Sequence, residues 1–170
     1  HAGRSHGMST ILIVDDERNL RRLLGDTLEG EGHTILQAET GEEALERFQE
    51  VGCDLVLLDM ILPDLNGLQV LKRMKRLAAE VPVVIMTAFS EVRGAVEAMK
   101  AQAGDYLCKP FDLDELKLVV QRMLETAAIT QKYRRLQELE QGRYKAMRII
   151  GESRAARRLP ASPRWRARSC

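Results

Sequence analysis

Three carboxylates, a hydroxyl and an amine occupy equivalent places in this chain, each at the end of an apolar run. Asp15 and Asp16 follow "ILIV", Asp59 ends "DLVLLD", Thr87 ends "VPVVIMT" and Lys109 ends "GDYLCK". Carboxylates brought together repel one another, and burying them unpaired is costly. A hard divalent cation removes that cost, and Mg²⁺ prefers one or two carboxylates supplemented by waters and phosphate oxygens. A cation beside a carboxylate, an ammonium and a hydroxyl is the equipment for phosphoryl transfer to an aspartate. The Asp oxygen can attack phosphorus to give an acyl phosphate, and the other groups offset charge on the phosphoryl oxygens. An ionised carboxylate is already a nucleophile and needs no general base. No histidine stands beside these residues, which argues against a His-based hydrolase.

These groups act together only if the fold gathers them. Apolar runs at 11–14, 33–38, 54–58, 82–86 and 105–108 read as strands. Amphipathic stretches at 17–30, 41–50, 65–77, 91–103 and from 112 onward read as helices. Thr40 with Glu43 predicts a capping box, and Asp112 with Glu115 a similar pair. Continuous apolar strands alternating with helices require a parallel sheet covered on both faces. The expected fold is therefore α/β and doubly wound. Ligands of such sheets bind at the carboxyl ends of the strands, at a topological switch point. The five groups converge on that rim; the second strand's end, Ala38 and Glu39, adds nothing clear to the set.

The chain has 170 residues, of which 45% are hydrophobic, enough for one domain with a sizeable core and an extension. No run approaches a membrane span and no secretory signal is visible, so the expectation is a soluble, cytoplasmic protein without a membrane partner. Cys53, Cys108 and Cys170 lack metal-ligand spacing and read as reduced thiols. Residues 8–142 carry 16 basic against 24 acidic side chains, a balance of −8. Residues 143–170 carry nine basic side chains against Glu152 alone, a balance of +8. That reversal marks a boundary near Gly142. The segment 1–7, "HAGRSHG", reads as an expression remnant.

The stretches "ILIVDDE", "DLVLLDMILPDLNGLQVL", "VPVVIMTAFSE" and "GDYLCKPF" make residues 8–124 resemble a response-regulator receiver domain of two-component signalling. The resemblance implies a flavodoxin-like (βα)5 fold whose last helix extends into a linker. It implies that Asp59 is the phosphoacceptor for a sensor histidine kinase, and that Asp16, Asp59 and the Ile61 backbone carbonyl bind Mg²⁺ directly, with Asp15 acting mainly through water. Thr87 and Lys109 would contact the phosphoryl group. Tyr106 matches the family's switch aromatic, and a cis Lys109–Pro110 bond is implied. One departure is "AQAGDY", where close relatives more often have Gly before the Ala.

Beyond the receiver, residues 113–147 contain no Pro and only Gly142 as a glycine, which predicts a long helix. Leu116, Val120, Met123 and Ala127 fit an a/d pattern that Ile129, Tyr133 and Leu136 resume out of phase, so 125–148 is expected to be a linker able to form a dimeric coiled coil. "IIGESRAARRL", 149–159, resembles the opening of the ATPase domain of NtrC-like, sigma-54-dependent activators, truncated here because no Walker A sequence follows. The Arg-rich 160–170 has no structural period and is expected to be a disordered tail. The expectation is thus a phosphorylation switch that catalyses at most its own phosphorylation and dephosphorylation. It would form a homodimer and reach DNA and sigma-54 RNA polymerase only through domains absent from this chain. Two alternatives carry less. A haloacid-dehalogenase-like phosphatase would need an Asp where Ile61 stands, and a free-standing receiver would not need the long helix.

Overall fold

The computed structural model describes residues 8–88 and 92–157. The segment 1–7, residues 89–91 of the third matching stretch, and 158–170, with the expected tail and Cys170, lie outside the described residues. The chain divides into two compact units, His1–Ala128 and Ile129–Cys170.

In the first unit the order is β1 (Thr10–Val14), α1 (Arg18–Gly30), β2 (Thr34–Ala38), α2 (Gly41–Glu50), β3 (Leu55–Asp59), α3 (Gly67–Leu77), β4 (Val83–Ala88), α4 (Val92–Lys100), β5 (Asp105–Lys109) and the start of α5 (Leu113–Arg157). Among the described residues one parallel sheet forms, with strand order β2-β1-β3-β4-β5. This is the flavodoxin-like arrangement, whose switch point lies between β1 and β3. In register, Val14 lies opposite both Ala38 and Leu58, and Asp59 lies opposite Met86. The acid-bearing strands therefore end side by side.

Strand alternation sorts the core into two halves. Leu12, Val14, Val56, Leu58, Val83 and Ile85 point towards α2, α3 and α4, where they meet Phe48, Val70, Met74 and Ala98. Ile11, Ile13, Leu55, Leu57, Val84 and Met86 point towards α1 and α5, where they meet Leu24, Leu28, Leu116 and Val120. Each such side chain, fully buried, contributes roughly 1.5–3 kcal/mol.

Helix starts depart from the expected capping. Thr40 Oγ1 accepts from the Glu43 N–H at 3.1 Å, as half a capping box. The Glu43 carboxylate, however, reaches past Thr40 to accept from the Glu39 N–H at 3.0 Å. A carboxylate from the β3–α3 loop does the remaining work on α2, since Asp64 accepts from the Gly41 and Glu42 N–H groups at 2.8 and 2.9 Å. Asp112 accepts from the Asp114 N–H without a reciprocal bond from Glu115 among the described residues. The complete box is on α3: Asn66 Oδ1 accepts from Leu68 N–H at 2.7 Å, and Gln69 Oε1 accepts from Asn66 N–H at 3.1 Å.

The a/d pattern along α5 divides in function. Leu116 and Val120 are buried, and Met123 packs against the same cluster, so this half of the pattern is receiver core and not a coiled-coil seam. In the second unit Ile129, Tyr133, Leu136, Leu139, Tyr144, Met147 and Ile150 are exposed. The phase break near Ile129 is the change from core packing to an exposed stripe. Helix α5 continues ten residues past the expected end, through Gly142 and Gly151 to Arg157. A glycine inside a helix costs only about 1 kcal/mol, and the next Pro is Pro160.

Candidate metal centre

The expected rim forms. Asp15, Asp16 and Asp59 each offer a carboxylate oxygen, and these three atoms lie within 4.8 Å of one another. Asp15 and Asp59 are buried while Asp16 is exposed. Lys109, from the end of β5, sets its Nζ 2.8 Å from Asp15 Oδ2 and 3.2 Å from Asp59 Oδ2. The Lys109–Pro110 bond that follows is cis.

Backbone ties fix the two buried acids. Asp15 Oδ1 accepts from the Glu17 N–H at 2.8 Å, turning the chain into α1. Asp59 Oδ1 accepts from the Ile61 N–H at 3.2 Å, and Ile61 bridges Asn66 across the β3–α3 loop. That loop closes tightly because Gly67 has no Cβ: an added one would stand 2.5 Å from the Asp59 carbonyl oxygen and 2.7 Å from Met60 Cα. The α3 N-terminus therefore rests directly on the strand end that carries Asp59.

Burial pushes the Asp59 carboxyl above its usual range; the Asp15 charge adds to this, and Lys109 opposes it. For Lys109, burial pulls the ammonium down, but the Asp15 hydrogen bond and the charges of both acids outweigh it and raise it. Lys109 thus shares its charge between two buried acids, Asp15 and Asp59. The donor set fits a hard cation of the Mg²⁺ class, which takes carboxylate oxygen and keeps waters. Asp15 is already committed to Lys109 and Glu17, whereas among the described residues none hydrogen-bonds the Asp16 carboxylate. The Asp16 carboxylate is exposed to solvent.

Thr87 is buried, with its hydroxyl donating to the Ala88 carbonyl at 3.2 Å. In register it lies opposite Cys108, one residue before Lys109. Tyr106 is 44% exposed, two residues earlier on β5 than Cys108.

Sequence reasoning missed Arg21 and set Glu39 aside. Arg21, on the buried face of α1, is only 6% exposed and donates from Nη1 to the Asp15 carbonyl at 2.7 Å. Its Nη2 pairs with Glu39 at 2.8 Å and its Nε bonds Gln37 at 3.1 Å. The available signal was an arginine in helical phase with Leu24 and Leu28 on an otherwise apolar face.

The profile of the response regulator receiver domain family matches residues 11–121. The chain is 42% identical over 131 residues to the regulatory protein AtoC of Escherichia coli K12, covering 77% of this chain and 28% of that protein. It is 40% identical over 134 residues to the transcriptional regulatory protein ZraR of the same strain, covering 74% and 30%. The chain thus spans less than a third of the length of these relatives. The crystal structure of the receiver domain of NtrX from Brucella abortus matches 68% of this chain and 98% of its own, at 38% identity and a TM-score of 0.66.

Proposed function

The chain belongs to the response regulator receiver domain family, and we propose that it is switched by transfer of a phosphoryl group from a sensor histidine kinase to Asp59. A receiver is a signalling switch, so the reaction ends on the protein itself. The observation that carries the proposal is the position of Asp59: its carboxylate is buried beside two further acids, with the Lys109 ammonium 3.2 Å away.

An Asp59 oxygen attacks phosphorus while the bond from phosphorus to the donor imidazole nitrogen breaks. The product is an acyl phosphate on the chain and a free imidazole on the kinase. Asp16, Asp59 and the Ile61 carbonyl would hold Mg²⁺, with Asp15 acting mainly through water. When bound, the ion offsets charge on the phosphoryl oxygens. Lys109 supplies the second positive charge from the β5 side, and Thr87 swings its hydroxyl from the Ala88 carbonyl to donate to the phosphoryl group. Tyr106 then rotates from its half-exposed position into the space Thr87 leaves, so the α4–β5–α5 surface changes shape. Such a device needs two states only a few kcal/mol apart.

The whole protein extends this reading. Residues 8–124 form the receiver, 125–148 a linker, and 149–159 the opening of an ATPase domain of a sigma-54-type transcriptional activator. The resemblance to AtoC and ZraR supports this class. A homodimer uses the receiver face and the apolar stripe from Ile129 to Ile150, which supplies a seam of about three heptads. DNA and RNA polymerase are met through domains outside this chain, and the site of action is the cytoplasm. Among the described residues no helix is long and apolar enough to cross a membrane.

The test is labelling by acetyl phosphate with Mg²⁺, followed by intact mass. One phosphoryl group per chain is expected on the parent and none on Asp59→Asn. Undiminished label on the variant would move the acceptor elsewhere.

A further inference from the structure

Arg21 touches none of the groups that would meet a phosphoryl group, yet it is tied to the site by a short hydrogen bond. A buried guanidinium is costly unless its donors are satisfied. Here its satisfaction is directional. Nη1 donates to the Asp15 carbonyl at 2.7 Å, Nε to Gln37 at 3.1 Å and Nη2 to the Glu39 carboxylate at 2.8 Å. Gln37 and Glu39 belong to β2 and the turn after it, so the fork is anchored on the neighbouring strand and reaches across to the end of β1. Gly25, one turn along α1, leaves room for this, since a Cβ there would stand 3.2 Å from the Gln37 amide nitrogen.

The carbonyl that Arg21 holds belongs to the Asp15–Asp16 peptide. A peptide unit is planar, so pinning its oxygen also orients the Asp16 nitrogen and Cα. The neighbouring peptide is fixed by Glu17 N–H to Asp15 Oδ1 at 2.8 Å. Asp16 itself is exposed and, among the described residues, none hydrogen-bonds its carboxylate. Its backbone therefore fixes where the Cα–Cβ bond points, and so which positions the carboxylate can reach, and that backbone is held from α1 and β2.

We infer that Arg21, anchored by Gln37 and Glu39, is a positioning residue that aims the Asp16 carboxylate at the metal centre. This rests on the assignment of Asp16 as a direct Mg²⁺ ligand. Charge and positioning predict opposite signs, which makes the inference decidable. As a bare cation near three acids, Arg21 weakens Mg²⁺ binding, so removing its charge would tighten the site. As a positioning group, its loss weakens binding even though a repelling charge is gone. Lysine keeps the charge but not the fork, and cannot serve three acceptors in fixed directions.

The experiment titrates Mg²⁺ into the full chain, following the amide resonances of Asp16, Glu17 and Ile61, for the parent, Arg21→Gln, Arg21→Lys and Glu39→Gln. Both Arg21 variants are expected to lose affinity by about tenfold, the usual scale for groups that orient a metal ligand. Glu39→Gln, a change at an exposed position, is expected to lose less and to fold normally. Labelling by acetyl phosphate should fall in the variants at low Mg²⁺ and return to the parent rate at saturation. Unchanged or tighter Mg²⁺ binding by Arg21→Gln, or parent-like binding by Arg21→Lys, overturns the inference. Should the Arg21 variants fail to fold, unchanged affinity in Glu39→Gln overturns it instead. A parent chain that binds no Mg²⁺ removes the underlying ligand assignment as well, so the two failures are distinguishable.

Discussion

Gln102 has φ +71°, in the left-handed region that L side chains rarely adopt. It follows α4, where the Gln102 N–H donates to the Met99 carbonyl at 3.1 Å and the Ala103 N–H to the Ala98 carbonyl at 3.0 Å. That is the Schellman pattern, with Gln102 at the place usually held by glycine. The molecule carries its own reference at the end of α1. There Gly32 has φ +94°, its N–H donates to Glu29 at 3.0 Å, and the His33 N–H donates to Leu28 at 3.2 Å. Gln102→Gly would give α4 the terminus that α1 already has. Left-handed backbone costs an L residue roughly 1–2 kcal/mol. Glycine's greater freedom in the unfolded chain returns about 0.5–1 kcal/mol of that. Because the Gln102 side chain is exposed, no core packing is lost. The net expectation is a stabilisation of about 0.5–1 kcal/mol, read as a higher urea midpoint at unchanged slope. Gln102→Ala, which keeps the Cβ, should leave the midpoint where it is. A Gly variant no more stable than the Ala variant would refute the strain argument.

Three further outcomes are expected. Gly67→Ala forces the α3 N-terminus off the Asp59 carbonyl, so stability should fall by about 1–3 kcal/mol in urea titration, and acetyl phosphate labelling should slow with it. Asp64 is held below the usual carboxylate range: slight burial would raise it, but bonds from the Glu42, Gly41 and Leu65 N–H groups prevail. Its contribution is therefore present above the unfolded value and lost as pH falls through the folded one. Asp64→Ala should cost about 1 kcal/mol at pH 7, with the gap to the parent closing below roughly pH 4; a pH-independent gap would argue against the charge. Thr87→Ala should still be labelled on Asp59, yet its sedimentation should respond little to the label; a parent-like response would exclude Thr87 as the route to the dimer.

Strand positions were legible because burial on both faces leaves continuous apolar runs, and β1 to β5 fall within two residues of their expected limits. The rim was legible because each of its groups ends such a run. Arg21 was not, since a lone Arg in an amphipathic helix ordinarily reads as solvated, and its three acceptors become neighbours only when β2 lies beside β1. The box on α3 was hidden in "NGLQ", where Asn-Gly reads first as a turn. Glu43 bonds one residue further back than the motif specifies, a matter of loop path that residue types do not encode. The departure at "AQAGDY" was visible, but only the dihedral at Gln102 gives it a physical meaning.

Helices α1 and α5 roof the same face of the sheet, and they stand at opposite ends of the receiver sequence. On a ribosome this has a temporal consequence. The face built from Ile11, Ile13, Leu55, Leu57, Val84 and Met86 has only α1 to shelter it until Leu116, Val120 and Leu124 have been made. At about 5–20 residues per second, translation from Ile11 to Leu124 takes roughly 6–23 s. This face of the sheet therefore cannot be fully covered until α5, the last element of the receiver, has been made.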